Sequence, residues 1–234
     1  MKKQYTLDDF EGIVRTLRGE HGCAWDRRQT HASLKPFITE EAAELVSSVR
    51  IYEKTGNAEN MKEELGDILL HIVLHAQIAE EEGLFTLEDV IEGISEKMIR
   101  RHPYVFHPES GGPEQVSANW EEIKQKEKEG KEWIESPLRE IPQELPALIR
   151  TSKVLKKADR LYGTGKSFQE NAKRLKEAAD KMSKLGPERE DERLQEIFGD
   201  MLMSLSEIAA QYRIPSEQIL TDRIEDFIER YEPM

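Results

Sequence analysis

The chain has 234 residues, with 34 Lys and Arg set against 47 Asp and Glu for a formal net charge of −13, 35% charged and 7% aromatic residues and a single cysteine, a balance that suits a water-soluble helical protein. Uncompensated acid on this scale excludes a nucleic-acid polymer as the main partner, because its backbone would be repelled and any phosphate-bearing ligand would need a bridging metal; Cys23 alone excludes an internal disulfide and suits a reducing compartment. The longest apolar run, from Ile68 to Ala76, is broken by His71 and His75, and Lys2-Lys3 passes into Asp8-Asp9 without an apolar leader, so no membrane partner is expected and the sequence reads as cytoplasmic.

Leu7, Phe10, Val14 and Leu17 step by three and four residues, which predicts an amphipathic helix ending near Gly19. The loop from Gly22 to His31 then combines Trp25 with Asp26, Arg27 and Arg28. Two readings of it stand: Trp25 as a plug over the core, or Trp25 as a stacking surface beside cations that bind phosphate, with Arg28 among them. Pro36 fits the first turn of a second helix, and Gly56 with Asn57 fits its end.

Within that second helix Ile38, Ala42, Leu45, Val49 and Tyr52 draw one apolar stripe, and Glu41 and Glu44 fall along its edge. A third helix is expected from Met61 to about Glu82. Its stripe is Met61, Leu65, Ile68, Ile72, Ala76 and Ala79, with Glu64 and Asp67 on a flank. Leu70, Val73, Leu74 and Ile78 make it apolar almost all round after the first turn, as in a helix central to a bundle. Residues three apart share a helix face, so Glu41-x-x-Glu44 and Glu64-x-x-Asp67 each present two carboxylates to one point. Two such helices packed together make a four-acid pocket whose mutual repulsion calls for a cation. An all-oxygen ligand set favours Mg²⁺, with Mn²⁺ as an alternative. A single E-x-x-E pair is equally at home on a solvated face; the two pairs beside apolar stripes are what favour the pocket.

Thr86, followed by Glu88 and Asp89, predicts the N-cap of a fourth helix through Val90, Ile94 and Met98, closing in Lys97, Arg100, Arg101 and His102 before Pro103. Lys97 and Arg101 share a face. They either complement the helix dipole or grip an anion. Residues 107–136 are expected to be a linker followed by an exposed charged helix carrying Trp120 and Lys124. Pro137, Pro142 and Pro146 then open a second half, 137–234.

Sliding the halves by 133 residues sets Gly66-Asp67-Ile68-Leu69-Leu70 on Gly199-Asp200-Met201-Leu202-Met203, and Glu44 on Glu177. Glu41 then faces Arg174 and Glu64 faces Ile197; after a four-residue deletion Arg101 meets Arg230 but Lys97 meets Asp226. A repeat that keeps the packing pattern and only two of four acids reads as a degenerate scaffold without a complete metal site.

Taken together, Gly22-Cys23-Ala24-Trp25-Asp26, Gln29-Thr30-His31, Glu40-Glu41-x-x-Glu44, Glu63-Glu64-Leu65-Gly66-Asp67, Arg100-Arg101-His102-Pro103-x-Val105-Phe106 and Trp120-Glu121-x-Ile123-Lys124 resemble the MazG nucleoside triphosphate pyrophosphohydrolases, of the all-α NTP pyrophosphatase superfamily. The resemblance covers residues 10–125, departing at Ala24, where Pro is usual, and at Tyr104, where His is frequent. It implies an all-α bundle with its catalytic domain in residues 1–106, and Mg²⁺-dependent cleavage of nucleoside triphosphates between the α and β phosphates. It further implies metal ligation by Glu41, Glu44, Glu64 and Asp67; beside it, the chemistry of the reaction calls for one carboxylate as general base, for which Glu41 and Glu44 are the nearest candidates. Lys97, Arg101 and Trp120 would contact the nucleotide, with Lys124, Trp25 and Arg28 grouped with them, and the active form would be a homodimer.

Three other readings compete. A di-iron carboxylate protein needs Glu-x-x-His pairs, and none of the six histidines has Glu three residues before it. A zinc site through His71 and His75 finds no cysteine to complete it. A helical interaction module with a vestigial nucleotide site draws its support from the eroded second repeat.

Overall fold

The computed structural model describes residues 4–107, 127, 136–185 and 192–232, and all regular structure among them is helical. The chain divides into two compact units, Met1–Glu127 and Lys128–Met234. The first is built from α1 (Leu7–Arg18), α2 (His31–Thr55), α3 (Glu59–Glu81), α4 (Leu87–Arg101) and the short α5 (Pro103–Phe106).

Local chemistry sets where these helices begin and end. Thr6 with Asp9, Thr30 with Ser33 and Thr86 with Asp89 each form a capping box, the hydroxyl accepting from one backbone amide while the partner side chain accepts from the cap's own amide. Gly56 closes α2 at φ 72°, a left-handed conformation that a Cβ would strain. The Thr30 cap starts α2 at His31, so Pro36 lies in the second turn and not in the first. The helix continues through it because an N–H missing so near the start leaves one carbonyl unpaired without breaking the ladder behind it.

α3 is the axis of this unit, packing against α1, α2 and α4. Val73, Leu74, Ala76 and Ile78 from its second half meet Val14 of α1, Leu34 of α2 and Leu87 of α4 in one buried cluster, with Phe10 and Leu70 against its edge. The expected encirclement of α3 is incomplete, because Leu65, Leu69 and Ile72 are 51%, 38% and 41% exposed. They follow one another at helical spacing and form a second apolar face, left exposed by the described elements of the unit.

The loop between α1 and α2 is folded tightly. Cys23 donates its amide to the Leu17 carbonyl at 2.7 Å, and a Cβ at Gly22 would lie 2.2 Å from the same carbonyl oxygen, so only glycine fits. Arg18, at the end of α1, has a side chain only 6% exposed; its Nε and Nη2 donate to the two carboxylate oxygens of Glu81 at 2.9 and 2.7 Å, while Nη1 donates to the carbonyls of Asp26 and Gln29. One guanidinium thus ties α1, the end of α3 and the Trp25–Arg28 turn together.

The second unit holds α6 (Ala147–Tyr162), α7 (Phe168–Met182), α8 (Glu192–Gln211) and α9 (Ser216–Tyr231). Here α8, which carries Gly199-Asp200, is the central helix, packed on α6 and α7. The terminal helix departs from the first unit's pattern by packing on α6, where Glu217 of α9 accepts a hydrogen bond from the Leu148 amide at 3.2 Å in the first turn of α6.

Leu34→Ala removes a side chain that is 0% exposed at the meeting of α1, α2 and α3. It should lower unfolding free energy by about 2–5 kcal/mol, read by urea denaturation.

Candidate active site

Helices α2 and α3 run antiparallel, so that His31 meets His75 near one end and Glu41 meets Asp67 further along. This register brings one carboxylate oxygen each from Glu41, Glu64 and Asp67 within 4.8 Å of one another. Glu64 is 8% exposed and accepts a hydrogen bond at 2.7 Å from Asn60 Nδ2, one turn earlier, which fixes its carboxylate. Glu41 and Asp67 are half-buried.

The fourth acid, Glu44, is exposed and lies beside this triad, outside the group of converging oxygens. It neighbours Glu41, and the carboxyls of both are pushed above their ordinary range. For Glu41 the leading cause is desolvation, followed by the charges of Asp67, Glu64 and Glu40, with a hydrogen bond to Glu44 acting the other way. For Glu44 it is desolvation, then Glu41 and Glu64. No Lys or Arg among the described residues pairs with these acids. The donor set is all oxygen and its charge uncompensated, which fits a hard divalent cation and not a soft one.

The basic residues of α4 are organised differently from a free phosphate grip. Glu127 accepts from Arg101 Nε at 3.1 Å and from Arg101 Nη2, and also from Arg100 Nη2 at 3.1 Å. The two arginines hold its carboxyl down at about 2, Arg101 contributing more than Arg100. Lys97 is half-buried one turn earlier. In the first loop Trp25 is 47% exposed and sets its ring edge-on to Phe37 of α2, with centroids 5.9 Å apart. Arg28 is exposed on the same turn. Trp120 and Lys124 lie outside the described residues.

His71 and His75 do not converge. His71 is 6% exposed, its Nδ1 has no hydrogen-bond partner, and burial lowers its pKa. His75 Nδ1 instead lies 2.7 Å from His31 Nδ1, with the rings 6° from parallel and their centroids 5.0 Å apart. That centroid spacing is what two coplanar rings joined nitrogen to nitrogen require, so the contact is an in-plane N–H···N hydrogen bond and not a face-to-face stack. Sequence spacing gave no sign of this contact, nor of those made by Arg18 and Glu127. Each joins residues on different elements, and a Glu in a charged segment or an Arg in a last helical turn carries no mark of its partner.

A model of the MazG nucleotide pyrophosphohydrolase domain matches residues 29–106, a span holding all four acids, Lys97 and Arg101. The chain is 38% identical over 235 residues to the nucleoside triphosphate pyrophosphohydrolase/pyrophosphatase MazG of Thermotoga maritima, covering 97% of this chain and 85% of that protein. It is 31% identical to the nucleoside triphosphate pyrophosphohydrolase of Escherichia coli (strain K12), covering 96% and 85%. It is 40% identical to the uncharacterized protein YabN of Bacillus subtilis (strain 168) over 97% of this chain, which spans 46% of that longer protein.

Burial, with His31 and His71 nearby, lowers the pKa of His75, so the folded state favours its neutral form. The associated stability is present above the unfolded value of about 6.5 and is lost as pH falls through the lower folded value. Stability of the metal-free protein should therefore drop on acidification below about pH 6.5, and His75→Gln, which cannot titrate, should flatten that drop in denaturant titrations run at stepped pH.

Proposed function

Because the chain belongs to the MazG nucleotide pyrophosphohydrolase family, we propose that it is a Mg²⁺-dependent hydrolase of nucleoside triphosphates, cutting between the α and β phosphates to give the monophosphate and pyrophosphate. The observation that carries this reading is the convergence of Glu41, Glu64 and Asp67 on one point, between two helices of the matched span. These three carboxylates hold the metal, for which Mn²⁺ is a chemically acceptable substitute. Bound there, the metal supplies charge neutralisation at the phosphate oxygens and a water of lowered pKa.

The remaining groups have work of their own. Glu44, beside the triad and exposed, is placed to accept a proton from an attacking water, and a carboxyl raised above its ordinary range is a stronger base once ionised. Lys97 and Arg101 anchor the phosphates, Lys as a point charge and Arg through its planar fork. The exposed face of Trp25, held edge-on by Phe37, offers the base a stacking surface with Arg28 on the same turn. Trp120 and Lys124 complete the nucleotide contacts.

The active form is a homodimer, supported by the uncovered face of Leu65, Leu69 and Ile72 on the helix that carries two of the acids. Residues 137–234 act as a scaffold. Among the described residues, Glu41, Glu64 and Asp67 form the one group with metal-holding geometry, while Glu177 is exposed and pairs at 3.8 Å with Lys173. No helix among the described residues is long and apolar enough to cross a membrane, which accords with a cytoplasmic site of action.

Incubation with Mg²⁺ and a nucleotide panel should release pyrophosphate and stop in excess chelator; orthophosphate as the product would refute the reaction assigned. Glu41→Gln should cut turnover by about a hundredfold or more, equivalent to about 3 kcal/mol in the barrier, and should raise the melting temperature of the metal-free protein at neutral pH because one repelling charge is gone. The paired change Glu177→Gln with Asp200→Asn should keep parental turnover, and a loss matching that of Glu41→Gln would place ligands in the second unit.

A further inference from the structure

The second unit contains a cavity of about 270 Å³ between the second half of α6 and the last turn of α8, bordered by the loop that joins α6 to α7. Lys156 and Asp159 line it from α6, Gly165 from the loop, and Glu207, Gln211 and Arg213 from α8 and the turn after it. We propose that this cavity binds a free amino acid, whose carboxylate is held by Arg213 and Lys156 and whose ammonium group is held by Asp159.

The walls are fixed before any ligand arrives. Asp159 Oδ1 accepts from the Gly165 amide at 2.8 Å and Glu207 Oε1 from the Lys166 amide at 2.6 Å, while the Lys166 carbonyl accepts from Gln211 Nε2 and from Nδ2 of the buried Asn171. A loop tied in this way to three helices does not have to be ordered by binding. Asp159 Oδ2 accepts no hydrogen bond among the described residues, so it is open to a donor from the ligand.

Arg213 marks the cavity as a place of recognition. At φ 56° it is the one non-glycine residue of positive φ among the described residues. It ends α8 in a turn that the first unit repeats bond for bond at the end of α3. The Tyr212 and Ile214 amides donate to Ile208 and Ala209 as those of Glu82 and Leu84 donate to Ile78 and Ala79, and there the left-handed position is Gly83 at φ 69°. Glycine takes that conformation freely, whereas a long side chain is strained in it. The second unit accepts the strain and places a cation at the cavity, where neither Arg213 nor Lys156 pairs with an acid among the described residues. Backbone strain is often kept where a ligand is clamped.

The charges choose the ligand. Two unpaired cations and a carboxylate with an open oxygen match a small molecule that carries both signs, and the guanidinium fork suits a carboxylate. A phosphate or a dicarboxylate would be repelled by Asp159 and Glu207 and by a chain of net charge −13, to which a molecule of zero net charge is indifferent. Among the described residues no aromatic side chain lines the cavity, so nothing there stacks a nucleobase. Its volume lies just under the roughly 300–1,000 Å³ of most ligand pockets, which also keeps the ligand small.

Calorimetry on the full-length protein tests this, with the common L-amino acids titrated one at a time to about 10 mM and with acetate, ethylamine and inorganic phosphate as probes of a single sign. At least one amino acid should bind saturably, at a single site per chain, and the single-sign probes should not. R213G should weaken that amino acid by about tenfold or more and yet melt no lower than the parent, because glycine is at ease in the left-handed turn. D159N, which keeps an acceptor for the Gly165 amide, should weaken it similarly. Binding is read as heat, so the result does not depend on the reaction assigned to the first unit, and triphosphate turnover without amino acid should match the parent in both variants. Absence of saturable binding by every amino acid would overturn the proposal, as would equal binding by the parent and R213G. Saturable phosphate binding that R213G abolishes would make the cavity an anion site and refute the amino acid. A large fall in the melting temperature of R213G would show that Arg213 holds the fold, and the strain would then need no ligand to explain it.

Discussion

Like charges brought to one point are the constraint on which the first unit depends. Glu41, Glu64 and Asp67 repel one another, and the repulsion acts on the α2–α3 pair that carries them. It is opposed along the same pair, where Leu34 packs with Val73, Leu74 and Ala76 and the His31–His75 hydrogen bond closes the end. The apolar packing gives the acids no choice of separation. An antiparallel helix pair of fixed register is a suitable device for this purpose, since a shift of one residue would rotate Glu41 by about 100° away from the acids on α3. Strain held at the site is thereby offset by burial next to it, a common arrangement where a function needs groups that stability would keep apart.

Much of this was legible in the chain. Helices α1 to α4, the Thr86 cap, the Gly56 stop and the paired acids follow from periodicity and from Thr, Asp and Gly at helix ends, because those signals are local. The failures are equally physical. Pro36 suggested a helix start, but a capping box one turn earlier outweighed it. The stripe read along α3 as core includes Leu65 and Ile72, which the single chain leaves open, because periodicity tells that a face is apolar and not what covers it. Glu44 has the same spacing to Glu41 as Asp67 has to Glu64, yet Glu44 is exposed and Asp67 half-buried, because spacing along a helix does not say which way the pair is turned against its neighbour.

The two units bury their acids in different ways. Both are built on a central helix bearing Gly-Asp, flanked by the helices before it. Among the described residues of the second unit the buried acid is Glu207, but its task is structural. It accepts from the Lys166 amide at 2.6 Å and fixes the turn before α7, on which Gln211 also converges. An anion satisfied by a backbone amide needs no cation, so this unit can bury a carboxylate without the demand for metal that the triad creates.

The bond between His31 and His75 has a use beyond holding two helices. A proton held between two ring nitrogens 2.7 Å apart is deshielded, so it should give a nuclear magnetic resonance line downfield of the amide region. His31 is the first residue of α2, directly after the turn that carries Trp25 and Arg28. Any rearrangement of that turn large enough to move the start of α2 would shift or erase this one line. The fold therefore carries its own label-free reporter at the entrance of the loop proposed to receive the base.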